Sequence, residues 1–145
     1  MAASPEQLDE LLTYCINFAR TMLNASGDFY PFAATLSLDG NVAAVGGYNG
    51  EEQPRPAEIY ELLSGAFSAG ARAGQHLGVA LAANVNIPAQ YSPEAPDGLR
   101  VHLESNGFAR FIYVPYKIDA QGVATIAEPF SVQIPPVFFG NAGNA

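Results

Sequence analysis

The sequence predicts an α+β domain: a mainly antiparallel sheet of five or six strands with two main helices, in the order α-β-β-α-β-β-β-β. Three observations carry that expectation. Two segments have apolar residues at helical spacing behind a Pro-containing start. Two pairs of apolar runs are joined by the tight-turn sequences Asp39-Gly40-Asn41 and Asn106-Gly107. Between the two sets lies a nearly continuous apolar run, "LGVALAANVN". Hairpins imply antiparallel pairing, and helices with one apolar stripe need a sheet to bury it on. The 145 residues fit a single domain, 1–145, long enough to bury roughly 68–70% of its unfolded surface without a disulfide or metal staple.

The first helix is expected over about Pro5 to Ala25. Ser4 can cap it, Pro5 suits its first turn and Gln7 completes a capping box. Leu8, Leu11, Leu12, Cys15, Ile16, Ala19, Met22 and Leu23 then recur on one face, and Gly27 stops it. Phe32, Ala34, Leu36 and Leu38 alternate with smaller or polar residues, which is a strand period with one core face. Asp39-Gly40-Asn41 turns the chain into a second strand, Val42 to Val45, and Gly46, Gly47, Asn49 and Gly50 end regularity.

Pro56 opens the second helix, with Glu58 placed to complement its dipole. Ile59, Leu62, Leu63, Ala66, Phe67 and Gly70 share a face. Glycine in that helix costs about 1 kcal/mol per site relative to alanine, so the return expected is a close backbone approach to a neighbour. Leu77 to Asn86 reads as a buried strand, with continuation of the helix as the competing reading. "IPAQYSPEAPDG" is a loop. Leu99 to Glu104 and Phe108 to Val114 form the second hairpin, with Pro115 ending it or marking an edge. Val123 to Ala127 is a further strand. The remainder, "EPFSVQIPPVFFGNAGNA", shows no clear period, and residues from about 140 to 145 are expected to fray.

Composition excludes several classes of function. Six Lys and Arg against fourteen Asp and Glu give a formal charge of −8. The basic residues are scattered, so neither nucleic acid nor an anionic membrane is an expected partner. No run of about twenty apolar residues exists to span a membrane, and the start lacks the features of a signal peptide, so a cytoplasmic location is expected. One cysteine excludes an internal disulfide and a cysteine-rich zinc site. Only 14% of residues are charged, which leaves a rather neutral surface suited to self-association.

The helix, the hairpin "FAATLSLDGNVAAVGG", the small-residue helix from Pro56 and the hairpin "LRVHLESNGFARFIYVP" together resemble the roadblock and profilin-like group of α+β domains in their order. That resemblance implies a dimerising, partner-binding scaffold without catalysis, and it carries over no residue role. The combination "NFARTML…GDFYPFAATLSLDG…LLSGAF…VHLESNGFARFIYVPY" resembles small bacterial proteins without an assigned activity.

The second hairpin permits a register. With Asn106-Gly107 as a two-residue turn, Leu103 faces Arg110, Val101 faces Ile112 and Leu99 faces Val114, on a core face. Glu104 faces Ala109, His102 faces Phe111 and Arg100 faces Tyr113, on a polar and aromatic face. Arg100, His102, Glu104, Phe111 and Tyr113 are thus the candidate ligand or interface residues. The chemical reading is a binding or acid–base face, with His102 able to titrate near neutrality and the loop Ile87 to Gly98 closing the site. The structural reading is a half-solvated sheet face.

No other constellation specifies a reaction. His76 follows a helix C-terminus, where it complements the dipole. Cys15 sits on the apolar stripe of the first helix as a small hydrophobe. "GGYNG" has no phosphate-loop lysine. Asp39-Gly40-Asn41 lacks calcium ligands, and Glu51-Glu52 reads as solvated loop charge. No catalytic residue, metal site or cofactor is expected. Aromatic residues Phe29, Tyr30, Phe32, Tyr48, Tyr113, Tyr116, Phe130, Phe138 and Phe139 are expected mostly in the core, although several flank loops, and "PPVFF" is a candidate contact with a neighbour. The expected function is a non-catalytic interaction module with a protein partner or itself, as a homodimer. The alternative is a small-molecule binding or enzymatic domain using the polar face of the 99–114 hairpin.

Overall fold

Among the described residues seven strands make a curled antiparallel sheet with one α-helix on each face. The computed structural model describes residues 2–45 and 55–139. The elements are α1 (Pro5–Ser26), β1 (Phe32–Ser37), β2 (Val42–Val45), α2 (Pro56–Arg72), β3 (His76–Asn86), β4 (Asp97–Ser105), β5 (Phe108–Ile118), β6 (Ala124–Ile126) and β7 (Phe130–Gln133). Strands lie in the order β2-β1-β3-β4-β5-β6, with β7 also on β5. The α+β class and the element order are those expected, with β7 as one further short strand.

The start of α1 follows its sequence signals. Ser4 Oγ accepts from the Gln7 N–H at 3.2 Å and Gln7 Oε1 accepts from the Ser4 N–H at 2.9 Å, a complete capping box. Gly27 closes the helix, donating to the Leu23 carbonyl at 2.8 Å. Leu8, Leu11, Cys15, Ala19 and Leu23 are buried against Phe32, Ala34 and Leu36 of β1, Ala80 and Ala82 of β3, and Leu99, Val101 and Leu103 of β4. Each leucine buried there is worth about 1.5–3 kcal/mol.

The opposite face of the sheet is covered too. Ile59, Leu63 and Phe67 of α2 pack on Ala33, Val79 and Leu81, and Phe138 joins them from beyond β7. β1 and β3 therefore bury residues on both faces, and their runs read as almost unbroken apolar sequence. Leu77–Asn86 is strand throughout, within β3. Leu38, expected on the core face of β1, instead sits exposed in the turn. There Gly40 adopts φ +89°, a conformation that an L side chain rarely takes.

Pro115 does not end β5. The Pro115 carbonyl accepts from the Ala127 N–H at 2.8 Å, so the position where an N–H would lie faces the edge that β7 and β6 share. β7 pairs with Arg110–Tyr113 and β6 with Tyr116–Ile118. The proline falls in the gap between them, where no ladder bond is lost. The glycine-rich exit from β2, including Tyr48 and Glu51-Glu52, and the terminal residues 140–145 lie outside the described residues.

Candidate functional site

The hairpin register is the expected one: Arg100 opposite Tyr113, His102 opposite Phe111, Glu104 opposite Ala109. The face these residues share is buried at His102, Glu104 and Tyr113 and half-buried at Arg100 and Phe111. His102 is 4% exposed and Glu104 0%, because the segment after β7 lies over them. The polar residues are buried because the chain supplies their partners.

Glu104 is the centre of that arrangement. Its Oε2 accepts from the N–H groups of Phe138 and Phe139, each at 2.7 Å, and from Val137 at 3.1 Å; Oε1 accepts from Val137 at 3.0 Å. His102 Nε2 donates to Oε1 at 2.7 Å. Three successive backbone N–H groups form an anion-binding concavity, here filled by a side chain of the same molecule. Burial pushes the Glu104 carboxyl up, but the His102 hydrogen bond and the three amides outweigh it and hold it below its ordinary value. The His102 ring stacks on Phe138, 4.7 Å between centroids, with Phe111 edge-on at 5.5 Å. "PPVFF" thus packs back on its own sheet through Phe138.

The expected site between this face and the loop Ile87 to Gly98 is filled. Tyr91, in a single 3₁₀ turn (Ala89–Tyr91), packs on Tyr113 at 5.6 Å and Phe130 at 5.8 Å. Space opens elsewhere, at the far end of β3. A cleft of about 1000 Å³ lies between the chain entering β1, the start of α2 and the last residues of β3. It is at the large end of small-ligand sites. Of the five hairpin candidates only Arg100 lines it.

Arg100 is held by aromatic neighbours. Its guanidinium carbon lies 4.4 Å from the Phe111 ring centroid and 5.5 Å from that of Tyr60, and Nη2 donates to the Tyr60 hydroxyl at 3.1 Å. Its Nε is buried without a partner. Among the described residues no carboxylate lies within 4 Å of it. On the other side of the cleft a polar chain runs Tyr116–Asn84–Asp28. The Tyr116 hydroxyl donates to Asn84 Oδ1 at 2.8 Å and Asn84 Nδ2 donates to Asp28 Oδ1 at 2.7 Å. Burial pushes the Tyr116 phenol up, partly offset by that bond to Asn84; the charges of Asp97 and Asp28 push it further.

The cleft exists because β1 is shorter than β3. β1 begins at Phe32, opposite Ala82, while β3 continues to Asn86 alongside β4. The Ile87 N–H donates to Pro96 on the β4 side at 2.8 Å. By the antiparallel alternation, Asn84 and Asn86 turn their N–H and C=O groups to the opposite, open edge. No backbone partner meets them there among the described residues.

Comparison with protein-family models, with curated proteins and with solved structures found no match. The site therefore stands on its own chemistry.

The remaining candidates are structural. His76 is the first residue of β3 and packs edge-on to Phe67, 6.4 Å between centroids, beneath Gly70 rather than capping a helix. A Cβ on Gly70 would lie 2.7 Å from His76 Nε2, which is the close approach expected of that glycine. Burial lowers the His76 pKa and pushes the Cys15 thiol up to about 12. No group of three His, Cys, Asp or Glu residues is arranged to hold a metal ion among the described residues, and no helix described is long and apolar enough to cross a membrane. Sequence reasoning missed Tyr60, Asn84, Asp28 and Tyr116 as cleft residues. Asn84 did carry a signal: a polar side chain in an otherwise apolar run.

Proposed function

We propose that the chain is a non-catalytic cytoplasmic binding module that recognises its ligand in the cleft at the free end of β3. The observation that carries this reading is the placement of Arg100. It is a half-buried cation on an aromatic bed, with no carboxylate beside it among the described residues, at the wall of a cleft of about 1000 Å³. A positioned cation and convergent polar groups in a concave aromatic setting are what small-ligand sites use. The enzymatic alternative has less support. On the hairpin face His102 and Glu104 are bonded to each other, and Glu104 also to the 137–139 amides. Neither lines the cleft. An NMR fragment screen tests the reading: carboxylate fragments should shift amides of Asn84, Asn86 and Arg100. Shifts confined to any other surface would remove it.

Self-association is a second reading, supported by a separate feature. β2 is the outermost strand on its side of the sheet among the described residues, and such an edge can pair with another copy. The resemblance of the element order to roadblock and profilin-like dimerising domains points the same way. Sedimentation showing only monomer at every accessible concentration would eliminate it.

A further inference from the structure

We infer that the cleft takes the extended C-terminal end of a partner polypeptide, its backbone pairing with β3 and its terminal carboxylate held by Arg100. This rests on the reading of the cleft as a ligand site and specifies the ligand. Two independent features point to it. The first is a stretch of β3 edge that meets no backbone partner among the described residues. Asn84 and Asn86 both offer an N–H and a C=O to the cleft, in register with β1 but beyond its start. That pattern of donors and acceptors is complementary to an extended peptide, which would continue the line of β1 and add a short strand to the sheet.

The second feature is charge. Ala83 is the residue of β3 directly opposite Arg100, and both line the cleft. The small side chain leaves the face open from the strand edge to the guanidinium. A backbone lying on the edge can therefore end in a carboxylate that crosses Ala83 and meets the Arg100 guanidinium, whose Nη2 also donates to the Tyr60 hydroxyl, in a charge-assisted hydrogen bond. The other charged side chains of the cleft are Asp28, Glu61 and Asp97. A single carboxylate at Arg100 satisfies the site, whereas a phosphate would bring extra negative charge among three acids. The same acids favour a basic side chain in the body of the peptide.

The experiment uses the whole chain and two matched pools of randomised N-acetylated tetrapeptides, one with free carboxylates and one amidated. Retained peptides are read by mass spectrometry and their affinities by titration. The free-acid pool should be retained, enriched in Lys and Arg before the last residue, and its best members should bind at least tenfold tighter than their amides. Asn86→Pro removes one edge N–H that has no ladder partner. Without unfolding the sheet, as checked by circular dichroism, it should weaken the acids and the amides alike by tenfold or more. Arg100→Gln should abolish the acid–amide difference, and Arg100→Lys should retain part of it. Equal binding of acid and amide by the unmodified chain would overturn the inference, as would retention of neither pool. If benzoate or another small carboxylate shifts the cleft amides while no tetrapeptide binds, the peptide inference fails and the cleft reading survives.

Discussion

A carboxylate with no solvent contact is expensive unless every lone pair is used. Glu104 meets that condition through one imidazole and three consecutive amides that lie 33 to 35 residues further along the chain. This buried polar cluster is thus non-local and invisible to sequence periodicity. Glu104→Gln replaces one acceptor oxygen by an NH₂ group facing N–H donors. We expect a loss of about 3 kcal/mol in urea denaturation, with hydrogen exchange at Val137, Phe138 and Phe139 accelerating far more than in β3. Cys15 gives the opposite lesson, because its position on the apolar stripe foretold its burial. With its thiol at about 12, it should be inert to a thiol reagent at pH 8 in the native state and react only at the rate of unfolding.

Among the elements, α2 shows how two residues of one type differ by position. Gly65 has nothing within 4 Å of where a Cβ would sit, while Gly70 has the His76 ring 2.7 Å away. Gly65→Ala should therefore raise stability by about 1 kcal/mol through helix propensity alone. Gly70→Ala must displace His76 and should be destabilising; thermal melts of the two variants side by side would show opposite shifts. The capping signals of α1, the two hairpins and the β4–β5 register were legible because each is local, set by turn chemistry and alternation within about ten residues. What covers a sheet face is not local. The alternation of Arg100, His102 and Glu104 with apolar neighbours is the same for a solvated face and for one roofed by α2 and Phe138. β7 was legible in principle, since Phe130 and Val132 alternate with Ser131 and Gln133, but four residues before two prolines carry little weight as a period. The cleft was not legible because it arises from a mismatch in strand length: β1 stops where β3 goes on.

For the molecule as a whole, acid should be the destabilising direction. The folded pKa of Glu104 lies below its ordinary 4.5. The stability it contributes is therefore complete above pH 4.5 and lost as pH falls through the folded value. His76, lowered from 6.5 by burial, acts in the same sense, since the unfolded chain takes up its proton first. The urea midpoint should begin to decline slightly below pH 6.5 and fall more steeply below pH 4.5. In Glu104→Gln the second, steeper limb should flatten. The charge of −8 opposes this modestly, because protonation relieves repulsion on the acid side.

The bond between Glu104 and residues 137–139 also bears on how the protein is made. Synthesis runs from the N-terminus, so β1, β3 and β4 leave the ribosome before the amides that receive this carboxylate exist. Until Val137, Phe138 and Phe139 emerge, the Glu104 carboxylate has the His102 imidazole but none of its three amide donors. A chain broken off before residue 137 would keep every helix and strand of the described residues and still lack the three amides that bind Glu104. A glutamate made early in the chain thus waits for donors made more than thirty residues later.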